Sequence, residues 1–301
     1  MTRTISLSLH LGAHKTASTH LQHALKAHEE QLIAAGVRFY GPQYLRERDR
    51  SIPQMFGVGT AATTGRSAPL QLEFLAKDSD RVILSEENFL GKLFDERGVV
   101  GEPLYPLADM RINGLSQRLP HSKLRVFLAV RRPDTFLNSI YSQVLFGGLM
   151  LPPERFRERN DVSAVSWLGL VQRIARIPAI SEVFLWCYED YPKNFTQIIE
   201  RLVGPGLGAY VAPQEEPVHP GLSAEAAAYV LRQYAEGKKG ALAQQARKKF
   251  PVSATSPKLT IYDEADQAQA EMMYYRQLQE IARIEKVQIL GGEFADSLGV
   301  T

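Results

Sequence analysis

Five short apolar runs, rich in β-branched residues, recur along the 301 residues, and each is separated from the next by a longer segment of helical period. They are ISLSLHL (5–11), VRFY (37–40), RVILS (81–85), LRVFLAV (124–130) and EVFLWCY (182–188). Runs this apolar suit strands covered on both faces, and strands that alternate with amphipathic helices build βαβ units. The expected fold class is therefore α/β: a three-layer sandwich with a central, mainly parallel five-stranded sheet. Residues 18–35 carry Leu21, Leu25, Leu32 and Ile33 on a helical period and end at Gly36, which reads as the first crossover helix with its glycine stop. Helical patterns follow at 107–119, 135–146, 166–177, 195–203, 224–236 and 263–287. In the last of these, Met272, Met273 and Tyr275 read as core packing. The stretches 41–68 and 147–161 read as loops that line the mouth of a site. One domain, 1–301, is expected, with the core sheet in about 1–205 and a C-terminal helical cap in about 206–301.

Lys and Arg number 35 against 33 Asp and Glu, so nothing global points to nucleic acid or an anionic membrane as a partner, and any basic site has to be local. The single cysteine, Cys187, lies in an apolar run and reads as a buried structural thiol. No apolar run approaches the ~18 residues of a membrane span, and the N-terminal stretch is too short for a signal peptide. A cytoplasmic protein is expected.

Function concentrates at two strand-to-helix turns. In the first, LGAHKTASTH, a strand ends near Leu11, Gly12 follows, and a helix starts near Ser18. Amides of the turn would surround an anion there, with Lys15 adding a full charge and Thr16, Ser18 and Thr19 adding hydroxyls. Ser18 or Thr16 suits a plain helix N-cap equally well. The nucleotide-kinase pattern G-x-x-x-x-G-K-[ST] is not satisfied, because two residues separate Gly12 from Lys15. The second turn, RRPDTFLNSIY, places Arg131 after a strand, Pro133 at a helix start and Ser139 two turns on. A guanidinium fork there suits a phosphate, although a solvated pair or a salt bridge is the plainer reading of Arg131 and Arg132.

GAHKTAST resembles the 5′-phosphosulfate-binding loop of sulfotransferases that use 3′-phosphoadenosine 5′-phosphosulfate (PAPS), often G-x-x-K-T-G-T-T in bacterial members. Ala17 stands where that family usually has Gly, and Ser18 where it usually has Thr; a methyl at the first helical position is expected to be tolerated. RRPDTFLNSIY resembles the family's R-x-P-x-x-x-x-x-S-x-Y segment for the 3′-phosphate, through Arg131, Pro133, Ser139 and Tyr141. Together the two cover the order of elements over roughly the first 190 residues.

The resemblance implies a P-loop NTPase-like sulfotransferase fold, PAPS as cosubstrate and 3′-phosphoadenosine 5′-phosphate (PAP) as product. Binding residues would be Gly12, Ala13, His14, Lys15, Thr16, Ala17, Ser18, Thr19, Arg131 and Ser139. Lys15 would meet the oxygen that leaves. A sulfonate carries less charge than a terminal phosphate, and no metal is expected. The base would come from VILSEENF, at the same sheet edge: Glu86 first, then Glu87, with His14 as a further catalytic candidate. The alternative for these acids is a helix-opening cap. His10, His20, His23 and His28 straddle strand and helix and read as packing or surface residues, not a metal site. The basic run 237–250 reads as a solvated helix face, or as a surface meeting an acidic glycan. The acceptor would be a hydroxyl or amine, with carbohydrate preferred. A small P-loop kinase and a non-catalytic nucleotide- or glycan-binding protein are the other readings.

Overall fold

The computed structural model describes residues 4–60, 65–213 and 221–291; the rest of the expected 41–68 loop and of the 206–301 segment lies outside the described residues. Among the described residues there are six strands: β1 (Ser6–Gly12), β2 (Val37–Tyr40), β3 (Arg81–Ser85), β4 (Leu124–Val130), β5 (Ile180–Cys187) and β6 (Val287–Ile289). They form one sheet in the order β2-β3-β1-β4-β5-β6, and every neighbouring pair is parallel. The expected five strands thus become six. β6 comes from the end of the segment read as the helix 263–287. That helix stops at Ile281, and the chain after it runs into the sheet edge.

Side chains alternate cleanly across the sheet, as a period of two requires. Leu7, Leu9 and Leu11 of β1 and Val126, Leu128 and Val130 of β4 face one core, while Phe127, Ala129, Phe184 and Trp186 face the other. The second core holds the helices Ser18–Ala27 and Tyr191–Val203; the first holds most of the remaining helices. Fully burying one such leucine contributes roughly 1.5–3 kcal/mol, so both layers are needed to cover strands this apolar.

The chain leaves β1 over one face towards β2, and leaves β3 and β4 over the other. Loops at the end of β1 therefore part from those of both its neighbours, and a crevice opens there. Both sequence motifs sit at that crevice.

Several local expectations change. The first crossover is two helices, Ser18–Ala27 and Glu29–Ala34, broken at His28, whose ring nitrogen Nδ1 bonds the carbonyl of Ala24. Within 41–68 the chain forms two short helices, Pro42–Leu45 and Ile52–Phe56. In the helix Glu264–Ile281 the buried stripe is Ala270, Tyr274, Leu278 and Ile281, whereas Met272 and Tyr275 are exposed. The helices Ala224–Ala235 and Leu242–Lys249 pack on each other and on Pro133–Phe146. Among the described residues no helix is long and apolar enough to cross a membrane. Cys187 is buried, and burial pushes its thiol up to about 12.

His10, on β1, is fully enclosed between Ser85, 2.6 Å from its Nδ1, and the ring of Trp186. Burial lowers its pKa from 6.5 to about 4, with Glu87 opposing weakly. Between those two values the unfolded chain binds a proton that the folded chain rejects, so stability falls as pH drops through that window and the loss is complete near pH 4. The full shift corresponds to about 3 kcal/mol. Urea midpoints at pH 7, 5.5 and 4.5 are expected to show this decline, and His10→Gln, which keeps a hydrogen-bonding group towards Ser85, is expected to flatten it.

Candidate functional site

The turn after β1 is shaped by three left-handed residues. Gly12 (φ 79°), Lys15 (φ 64°) and Ala17 (φ 65°) interrupt an otherwise ordinary backbone. For Lys15 and Ala17 this costs about 1–2 kcal/mol each. The same turn leaves its N–H groups open: among the described residues, no hydrogen bond leaves the amides of Lys15, Thr16, Ala17, Ser18 or Thr19. Two of them open the helix Ser18–Ala27, where the dipole adds its positive end. Neither Ser18 nor Thr16 is the N-cap. Ala17 holds that position, with no side-chain cap, and the Thr16 and Ser18 hydroxyls both donate to the carbonyl of Ala13, at 2.6 and 3.2 Å. Ala17 is thus not at the first helical position, and its methyl sits in a conformation that glycine adopts freely.

The second motif closes on the first. Arg131, 3% exposed, donates from Nη1 to the Lys15 carbonyl at 2.7 Å and from Nε to Thr135 at 3.0 Å, with its guanidinium 4.2 Å above the Tyr188 ring. The Arg131 carbonyl in turn accepts from the Trp167 indole at 2.7 Å. No carboxylate forms a salt bridge with Arg131 among the described residues. Arg132 differs: it grips Asp134 through two bonds of 2.7 and 2.9 Å, the salt bridge that the plainer reading anticipated. Ser139, on the helix Pro133–Phe146, brings a hydroxyl with no partner among the described residues. Tyr141 instead ties the next loop down by donating to the Leu151 carbonyl.

Lys15 donates to Gln143 at 3.2 Å. Burial lowers its pKa, and Arg131, Lys258 and Arg247 lower it further, against a smaller opposing effect of Glu87. Four cations therefore gather at one crevice, none of them in a salt bridge among the described residues, with Glu87, Glu189 and Asp134 acting on Lys15 and Arg131 from beyond bonding distance. Such a cluster repels itself until an anion arrives. Arg247 belongs to the basic run 237–250, so part of that run is turned to the site; its guanidinium lies 4.9 Å from the Phe146 ring.

On the other flank, after β3, stand the acids. Both oxygens of Glu86 are taken: Arg46 Nε reaches Oε2 at 2.8 Å, and Oε1 accepts from Arg46 Nη2 at 2.8 Å and from the Asn88 amide at 3.0 Å. Glu86 is itself the cap of the short turn Glu87–Phe89, its side chain accepting from the Asn88 amide. Glu87 accepts from Arg46 at 2.7 Å and from Gln22 at 3.2 Å, and its Cβ would lie 3.4 Å from a Cβ placed on Gly12. Burial pushes the Glu87 carboxyl up, but its backbone N–H, Arg46 and His14 outweigh this and hold it below the usual carboxylate value. His14 is bound at both nitrogens, Nδ1 to the Tyr105 hydroxyl at 3.0 Å and Nε2 to Asn88 Oδ1 at 3.1 Å. The same hydroxyl accepts the His14 amide at 3.2 Å, so its proton goes to Nδ1 and the ring keeps its hydrogen on Nε2. Burial lowers the His14 pKa and raises that of Tyr105, which keeps both neutral near pH 7.

No family model and no curated protein matches this sequence. Among solved structures, the chain is similar to a sulfotransferase from Alicyclobacillus acidocaldarius. Identity is 16% and the TM-score 0.43, over 73% of this chain and 88% of that one. A likeness at this level assigns neither family nor activity.

The candidate residues thus meet at one crevice, Glu86 and Glu87 on one flank and Arg131 and Ser139 on the other. Arg46, Gln22, Tyr105, Gln143 and Lys258 join them. These five come from five separate segments, and only Arg46 had a forewarning in the sequence, since 41–68 was expected to line the site.

A Cβ on Gly12 would meet the Ser18 hydroxyl at 2.5 Å, on top of its left-handed φ. Gly12→Ala is expected to destabilise the fold by about 2 kcal/mol. Ala17→Gly removes strain at the cost of unfolded-chain entropy and is expected to stabilise by about 0.5 kcal/mol. Denaturant titrations of the two variants test both signs.

Proposed function

We propose that this protein is a sulfotransferase, which moves a sulfuryl group from PAPS to the hydroxyl or amine of an acceptor. The observation that carries the proposal is the 2.7 Å bond from the Arg131 guanidinium to the Lys15 carbonyl. It brings together two motifs 116 residues apart in the chain, which supports reading them as one anion site. The amides from Lys15 to Thr19 suit the 5′-phosphosulfate, while Arg131 and Ser139 suit a second anionic group further along, as the 3′-phosphate requires. No metal enters the proposal, because Lys15 and Arg131 supply the fixed positive charge.

In the transfer, the acceptor oxygen forms a bond to sulfur as the bond from sulfur to the bridging phosphate oxygen breaks. The electron pair stays on that oxygen, which leaves as part of PAP, and Lys15 is placed to stabilise the charge that grows there. The acceptor proton needs a base. Glu86 was the first choice from the sequence, but it accepts three hydrogen bonds, two of them from Arg46, whereas Glu87 accepts one on each oxygen and is the more exposed of the two. We assign the role to Glu87, with Glu86 holding Arg46 and His14 fixing Asn88 beside the turn. A carboxylate held ionised is a weak base, yet the acceptor hydroxyl becomes far more acidic as its oxygen bonds sulfur, so a late proton transfer is within its reach.

Calorimetry with PAP against ATP tests the reading. PAP is expected to bind and ATP to bind much more weakly. Arg131→Lys, which keeps the charge but loses the planar fork, is expected to weaken PAP by about tenfold to a hundredfold. Lys15→Ala is expected to slow PAP formation from PAPS by roughly 10²–10³-fold. Equal binding of ATP and PAP, with both unchanged in Arg131→Lys, overturns the proposal.

A further inference from the structure

We infer that the cleft between the helix Ser18–Ala27 and the turn 41–46 admits a neutral sugar or polyol as the sulfuryl acceptor, an inference that rests on the sulfotransferase reading. Position is the first argument. Glu87 and Thr19 line this cleft; Thr19 belongs to the phosphate turn and the Glu87 Cβ would lie 3.4 Å from a Cβ on Gly12, so the cleft opens onto Gly12 from the β2 and β3 side. Arg131, Ser139 and Tyr188 lie on the β4 and β5 side. An in-line transfer needs its entering and leaving oxygens on opposite sides of the sulfur, and the crevice offers those two sides.

Charge is the second argument. Each cation that lines the cleft has an acid at bonding distance: Lys26 pairs with Glu29, and Arg46 with Glu86 and Glu87. On the far side Lys15, Arg131, Arg247 and Lys258 form no salt bridge among the described residues. An anionic glycan entering the cleft would find no unpaired cation and would face Glu29 and Glu87. An uncharged acceptor meets no such opposition.

Surface chemistry is the third. The Tyr40 and Tyr44 rings meet at 4.7 Å, and the Tyr40 hydroxyl is spent on the Leu75 carbonyl at 2.7 Å, so a fixed aromatic wall faces the cleft. Gln43 and Thr19 also line the cleft, while the Gln22 amide is already committed to Ser85 and Glu87. C–H faces of a pyranose pack on aromatic rings, and its hydroxyls bond groups such as the Gln43 amide and the Thr19 hydroxyl; a phenol would use the wall alone.

The test uses the full chain with PAPS and three classes of acceptor: a panel of neutral mono- and disaccharides, a heparin-derived oligosaccharide, and 4-nitrophenol. PAP binding is measured beside it by calorimetry. Neutral sugars are expected to be sulfated. Tyr44→Ala is expected to raise the KM for the sugar at least tenfold, with PAP affinity within twofold of the parent, and Tyr44→Phe is expected to restore KM. If PAP binds but only heparin, only the phenol or none of the acceptors is sulfated, the acceptor inference is overturned and the sulfotransferase reading stands. It is likewise overturned if Tyr44→Ala weakens PAP as much as it raises KM. Failure of PAP to bind overturns the reading and the inference with it.

Discussion

A buried guanidinium held in no salt bridge is the interaction on which the rest of the site depends. Arg131 is desolvated by the chain around it, a state that acid pairing usually offsets. Here the groups in contact are neutral dipoles, the Lys15 carbonyl, the Thr135 hydroxyl and the face of Tyr188, while the Glu189 and Asp134 charges act from further off. Its hold on Lys15 fixes the turn in a conformation that non-glycine residues resist, and among the described residues the amides of Lys15 to Thr19 make no hydrogen bond there. Trp167 locks the same arginine from behind through its carbonyl. The turn after β1, the end of β4, the helix Trp167–Ala175 and the turn after β5 are thereby joined at one residue.

The charge layout around that arginine is divided. Towards β4, β5 and the C-terminal helices, positive groups crowd each other and add to burial in depressing the Lys15 pKa. Towards β2 and β3, positive and negative groups cancel in close pairs, with Arg46 clasped by Glu86 and Glu87. A fold that keeps one flank electrostatically strained and the other relaxed selects by charge before any finer contact is made. Gln22 sits on the boundary, since its amide donates both to Ser85 at the sheet and to Glu87 at the crevice.

How much of this was legible in the sequence depends on whether a feature is local. β2, β3 and β4 fall where their apolar runs are, because strands covered on both faces need an unbroken run. The two motifs are equally local: Gly12, Lys15, Arg131 and Ser139 sit at fixed steps along strand-to-helix turns. β6 was hidden, since three residues after a charged helix end are too few to show a period of two. The break at His28 was hidden too, because its cause is a side chain turned back onto Ala24. In the site, nothing local marks Tyr105 or Gln143, which reach the turn across 91 and 128 residues. The left-handed Ala17 shows why a glycine is usual there, which residue type alone did not reveal.

β6 has a consequence for how the crevice is made. It adds to β5 only after the chain has run from Cys187 through the helices that carry Arg247 and on past Lys258. Those two cations therefore ride on an excursion pinned to the sheet at both ends, by β5 and by β6. On a growing chain the turn at Gly12 and its partner Arg131 are finished long before this arm is secured. The crevice thus starts as a mildly charged notch and is electrified last, when the edge of the sheet is zipped shut.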